Sequence, residues 1–196
     1  MPSKPKPIYS ISYNLFRKKI KDQIMTAQQC FAHKVVWITG ASSGLGEALA
    51  KAFAEQDAQV ILTARRAEVL EQVRQSLKHP ERHVVIAADV TNEAQMRHAY
   101  AEVLQHKGRI DLLINNAGLS QRALITDTTM HTERAIMEVD YFSQVFLTKT
   151  VLPTFLQQKT GRIVFISSVA GLLGTQYRAT YSAAKAAIHM WANSLR

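Results

Sequence analysis

The sequence predicts an α/β fold in which a doubly wound parallel sheet lies between two layers of helices. Two observations carry that prediction. From Lys34 to the C-terminus, short apolar and β-branched runs alternate with segments of helical spacing, which is the pattern of successive βαβ units. The first run, Val35-Val36-Trp37-Ile38-Thr39, is continuously apolar over four residues, as expected of a strand covered on both faces.

Each element follows in turn. Val35 to Thr39 is the first strand, and after a glycine-rich turn Leu45 to Glu55 has helical periodicity. Val60 to Thr63 is the second strand, followed by a helix over Ala67 to Leu77. The turn His79-Pro80-Glu81 leads to a third strand at Val84 to Ala87 and a helix from Glu93 to Lys107. Leu112 to Ile114 is the fourth strand. A long helical stretch covers Thr132 to Gln158, with Pro153 expected to kink or restart it. Gly161 precedes the strand Arg162 to Ile166, and Thr180 to Arg196 reads as the last helix.

Composition bounds the function classes. At 196 residues, 47% hydrophobic and 20% charged, the chain is an ordinary globular sequence of about one domain. Its single cysteine, Cys30, cannot make an internal disulfide or a cysteine zinc site. His79 and His83 are four apart, but Pro80 interrupts any shared helical face, and no metal site is expected.

The net charge of +9 is unevenly placed. Residues Met1 to Lys34 hold seven bases against the single acid Asp22, whereas the rest of the chain holds 17 bases and 14 acids. The excess sits in a leader, residues 1–32, ahead of a domain spanning residues 33–196. A basic leader attracts polyanions without selectivity, so no specific nucleic-acid partner is expected. No run in the leader reaches the length needed to span a bilayer. Ile8 to Ile24 is compatible with a short basic amphipathic helix making weak membrane-surface contact, while a flexible tail is the preferred reading. The expected location is cytoplasmic.

A doubly wound sheet holds its ligand at the carboxyl ends of its strands, near the switch in strand order. The unusual residues of this sequence collect there. After the first strand comes Thr39-Gly40-Ala41-Ser42-Ser43-Gly44-Leu45-Gly46. Glycines let the backbone approach a pyrophosphate without a Cβ in the way, and the following helix presents free N–H groups to its negative charge. The strand before the turn and the helix after it supply the context this reading needs.

The spacing Gly40-x3-Gly44-x-Gly46 resembles the TGxxxGxG motif of the short-chain dehydrogenase/reductase family. Asp89-Val90 follows the third strand, where the family aspartate reaches the adenine. Asn115-Asn116-Ala117-Gly118 is similar to its NNAG motif, and Tyr181-Ser182-Ala183-Ala184-Lys185 to its YxxxK motif. The resemblance covers His33 to Arg196 and implies a Rossmann-like three-layer αβα fold. Cofactor contacts are then expected from Gly40, Ser42, Ser43, Gly44, Leu45, Gly46, Asp89, Val90, Asn116, Tyr181 and Lys185.

The second strand ends Leu62-Thr63-Ala64-Arg65-Arg66. An NAD enzyme places a carboxylate here for the ribose 2′-hydroxyl, whereas an arginine accommodates a 2′-phosphate. The carboxylate is absent, so NADP is expected in preference to NAD. Arg65 is positioned to pair with the phosphate, and Arg66 to stack on the cofactor or point away.

Tyr181 and Lys185 are four apart on one helical face. A phenol is a poor base at neutral pH, and a nearby cation favours its ionised form. The resemblance implies that Tyr181 is the general acid or base and that Lys185 lowers its pKa and binds the ribose. Ser168, thirteen residues before Tyr181, matches the family serine that holds the substrate oxygen. The expected reaction passes a hydride between NADP(H) and an alcohol or carbonyl substrate. The alternatives are an inactive truncated fragment and a dinucleotide-binding sensor without catalysis. The sensor's usual mark, loss of the tyrosine or lysine, is absent.

One position departs from the family. Val139-Asp140-Tyr141-Phe142 aligns with a helix that usually carries asparagine where this chain has Asp140. Asp140 is either a member of the proton relay or an ordinary polar group of a helix. In the family this helix and the Tyr181 helix commonly meet across a dimer, so a homo-oligomer is expected of a full-length chain. Family members add two strands, a helix and a substrate loop after the YxxxK segment. The chain ends eleven residues past Lys185 and is expected to be C-terminally truncated, with its fifth strand an exposed sheet edge.

Overall fold

Five parallel strands form one sheet in the order β3-β2-β1-β4-β5. They are β1 (Val35–Thr39), β2 (Gln59–Ala64), β3 (Val84–Ala87), β4 (Leu112–Asn115) and β5 (Arg162–Phe165) in this computed structural model, which describes residues 30–195. The chain winds outward from β1 to β3, then returns to place β4 on the other side of β1. Between β1 and β4 lies the switch in strand order. The leader segment with the expected amphipathic helix falls outside the described residues.

Alternation along the strands builds two cores. Val35 and Trp37 point to one face with Ile61 and Leu113, while Val36 and Ile38 point to the other with Val60, Leu62, Leu112 and Ile114. Helices α1 (Gly44–Glu55) and α2 (Ala67–Gln75) cover the second face through Ala50, Ala54, Leu70 and Val73. On the first face, α3 (Glu93–Lys107) contributes Met96, Ala99 and Val103. The three layers are those the sequence predicts. Burying both faces is what makes the strands read as unbroken apolar runs.

The long helical stretch differs from expectation. Helix α4 (Met130–Met137) passes into a π-helical turn at Glu138–Phe142 and then into α5 (Ser143–Gln158). Pro153 does not restart it. The missing N–H of Pro153 leaves the carbonyl of Lys149, an exposed residue, without its helical donor, while Leu147, Val151 and Phe155 hold the helix on the sheet. The irregularity lies instead at the turn containing Asp140.

β5 hydrogen-bonds to β4 alone among the described residues, and Val164 in it is 40% exposed. The last helix, α6 (Ala179–Asn193), lies against α4, the π turn and β5, with Trp191 edge-on to Phe165. No helix among the described residues is long and apolar enough to cross a membrane.

Candidate active site

Every strand delivers its carboxyl end to one cleft of about 550 Å³. Gly40 follows β1, Ala64 and Arg65 follow the body of β2, and Ala88 to Val90 follow β3. Asn116 to Ser120 come from the exit of β4 and Ile166 from that of β5, while Val139, Asp140, Tyr181 and Lys185 come from helices.

The glycine turn is held from both sides. Gly40 has φ +65°, and a Cβ on it would sit 2.8 Å from the Ala117 Cα. A Cβ on Gly46 would come within 2.3 Å of the Gly40 carbonyl oxygen and 2.6 Å of Asn116 Nδ2. The first turn of α1 therefore packs directly on the β4 exit loop. Ser43 precedes α1 without a side-chain cap, so the first-turn N–H groups at the cleft are left for a ligand.

Asn116 is engaged with that loop. Its Nδ2 donates to the carbonyl oxygens of Thr39 at 2.9 Å and Gly40 at 3.2 Å. Thr39 Oγ1 in turn accepts from the main-chain N–H groups of Asn116 and Ala117. Asn116 thus lines the cleft while spending its amide on the loop. Thr39 is the residue the motif reading left without a role of its own.

Arg65 and Arg66 are exposed on the cleft wall, and neither is paired with an acid among the described residues. Asp89 also lines it, with Oδ1 accepting from Thr91 N at 2.9 Å and Thr91 Oγ1 at 2.8 Å. Val90, Ser42, Ser43 and Leu45 complete that end.

At the other end α6 brings Tyr181 and Lys185 together, with the Lys185 Nζ 5.6 Å from the Tyr181 ring centre. Lys185 is 3% exposed. Its Nζ donates to the Ile166 carbonyl at 2.9 Å and lies 2.8 Å from Asp140 Oδ1. Asp140 is completely buried. Burial pushes its carboxyl above the usual carboxylate range, and the Lys185 ammonium and Leu119 N–H oppose that rise. Oδ1 has the ammonium at ion-pair distance without an aligned hydrogen-bond donor. Asp140 is thus neither solvated nor remote from the site.

Ser168 is placed differently from the other expected residues. It does not line the cleft, and its Oγ accepts from Ala170 N at 3.2 Å at the start of a short 3-10 turn. Gly44, exposed at φ +57°, and the buried Gly46 do not line the cleft. Ala117, Gly118, Leu119, Ser120, Val139 and Ile166 line the cleft without having been singled out as site residues. For the loop residues a signal existed, since they follow the strand at the switch point. Val139 and Ile166 carried none in their residue types.

The sequence model of the short chain dehydrogenase family matches residues 34–196. The chain belongs to the short-chain dehydrogenase/reductase family. Its similarity to a solved family structure, a short-chain dehydrogenase from Streptomyces avermitilis, has a TM-score of 0.80 at 37% identity, covering 84% of this chain and 60% of that one. Among curated proteins it is 39% identical over 168 residues to dehydrogenase/reductase SDR family member 7 of Homo sapiens, covering 83% of this chain and 49% of the relative. It is 42% identical over 171 residues to the SDR family protein 7-like of Anopheles gambiae, covering 83% and 53%. This short-chain dehydrogenase/reductase chain therefore spans about half the length of these relatives.

Proposed function

We propose that the chain carries the NADP-binding and proton-transfer machinery of an oxidoreductase acting on an alcohol or carbonyl. One observation carries the reading: the glycine turn and the Tyr181–Lys185 pair, far apart in sequence, face the same cleft. Membership of a dehydrogenase/reductase family supports the reaction class.

The cleft's residues fit a dinucleotide. Gly40 lines the cleft at φ +65°, and the α1 N-terminus, with Ser43 and Leu45, faces the cleft. Arg65 and Arg66 stand unpaired where an NAD enzyme has an acid, which supports NADP. Asp89 and Val90 would meet the adenine end.

When bound, the nicotinamide cofactor supplies or accepts the hydride. Tyr181 gives a proton to the substrate oxygen in reduction and takes it in oxidation. Lys185 spends one N–H on Ile166 and holds its ammonium at the Tyr181 ring, ready for the ribose. Ser168 does not line the cleft; the family motif is what assigns its hydroxyl to the substrate oxygen, and because Ser168 accepts from Ala170 its hydroxyl hydrogen is free for that role.

The test is NADPH and NADH oxidation against a panel of aldehydes and ketones, with Tyr181→Phe as the matched variant. Turnover is expected to fall by about 10²-fold or more in the variant, with cofactor binding retained. Half the wild-type turnover surviving in Tyr181→Phe would refute the assignment.

A further inference from the structure

The Asp140 carboxylate is wholly buried, and the proton transfer above makes no use of it. Burying a charge is costly unless every lone pair finds a partner. Its two oxygens divide their partners: Oδ1 faces the Lys185 ammonium at 2.8 Å, and Oδ2 accepts from the Leu119 main-chain N–H at 2.8 Å. Lys185 also donates to the Ile166 carbonyl at 2.9 Å. One carboxylate thereby joins α6 to the loop after β4, and the ammonium joins both to the exit of β5. Gly118 permits the approach, because a Cβ there would come within 3.0 Å of Asp140 Oδ1.

Only a carboxylate makes this link. An ionised aspartate accepts at both oxygens, whereas an amide accepts at one end and donates at the other. Asparagine at this position would turn its NH2 group toward either the ammonium or the Leu119 N–H, donor against donor. The π turn at Glu138–Phe142 places the side chain between the two partners. π turns inside helices occur often at functional sites.

We propose that Asp140 is a positioning residue whose two carboxylate oxygens couple the Lys185 ammonium to the Leu119 amide, so that cofactor binding orders the loop walling the substrate side of the cleft. The proposal rests on reading the cleft as a cofactor site. Leu119 and Ser120 are exposed and line the cleft at that wall. A ligand that engages Lys185 would act on them through Asp140.

Hydrogen exchange of the full chain, read by mass spectrometry on peptides covering Leu119, tests this. The Leu119 amide is expected to exchange about tenfold faster in Asp140→Ala and in Lys185→Met than in wild type, the loss of one hydrogen bond's protection. NADPH, at concentrations where its fluorescence shows each protein to be saturated, is expected to slow it in wild type and in neither variant. If Asp140→Ala does not fold, Lys185→Met and the wild type with and without NADPH still decide. Wild-type exchange at Leu119 in folded Lys185→Met overturns the coupling. So does NADPH that binds, seen by its fluorescence, without slowing Leu119. Absence of NADPH and NADH binding to wild type overturns the proposed function and with it the cofactor arm of this proposal. Loss of coupling with binding intact overturns this proposal alone.

Discussion

Asn116 is bound twice to Thr39 across the switch point of the sheet, as the donor in both hydrogen bonds. The Asn116 main-chain N–H donates to Thr39 Oγ1 at 3.1 Å, and Asn116 Nδ2 donates to the Thr39 carbonyl at 2.9 Å. Thr39 is 2% exposed, so its hydroxyl is a buried acceptor serving two N–H groups. The pair stitches the end of β1 to the end of β4 and sets the shape of the cleft between them.

Removing that hydroxyl leaves two part-buried N–H donors, those of Asn116 and Ala117, without their acceptor. Thr39→Val, nearly the same in shape, should cost about 1–3 kcal/mol of stability and weaken cofactor binding. Thermal unfolding and a fluorescence titration with NADPH check both. Unchanged stability would mean that the stitch contributes nothing.

Gly46→Ala should be more damaging than its size implies. The added Cβ meets a carbonyl oxygen at 2.3 Å, and backbone cannot rotate away as a side-chain tip can. Overpacking of this kind costs about 1–3 kcal/mol. The same variant should lose cofactor affinity, because α1 must move off the β4 loop. A melting temperature and an NADPH affinity equal to wild type would contradict this account of the turn.

Arg65→Ala should reduce NADPH affinity by about 10- to 100-fold, the worth of a charge-assisted hydrogen bond. NADH affinity should be nearly unaffected, since NADH lacks the 2′-phosphate. Comparing the two dissociation constants isolates the effect. Equal losses for both cofactors would assign Arg65 to the fold and not to phosphate recognition.

His83 should make stability fall in acid. It is 5% exposed, accepts from the Val60 N–H through Nδ1 at 3.0 Å, and has Nε2 2.9 Å from the Lys78 carbonyl. Burial holds its pKa below the ordinary value, with Lys107 and Arg74 acting in the same sense and the Lys78 carbonyl and Glu81 against it. The unfolded state therefore takes up the proton first. The stabilising contribution is complete above the unfolded value of about 6.5 and is lost as pH falls through the lower folded value. His83→Gln keeps an acceptor for Val60 without titrating, so its melting temperature should depend less on pH between 8 and 5. Parallel pH curves for the two proteins would remove His83 as the cause.

Much of this protein was legible in the order of its residues. Strand boundaries follow from unbroken apolar runs, and β3 at Val84–Ala87 and α3 at Glu93–Lys107 fall where periodicity puts them. The glycine turn and Tyr181–Lys185 were readable because each is a local pattern with a fixed spacing. Pro153 does not restart the helix as its local penalty allowed, and Leu147, Val151 and Phe155 pack on the sheet on either side of it.

The sequence by itself determined the class of fold, the end of the sheet at which the cleft opens, and several of the residues that line it. These depend on periodicity and on the special geometry of glycine, which act over a few residues. Only the tertiary structure decided what Asp140 does. Its partners, Leu119 and Lys185, lie 21 and 45 positions away on opposite sides in sequence, and they meet because the sheet order places the β4 exit beside α6. Long-range charge pairing and burial are set by where elements dock, and no local pattern encodes them.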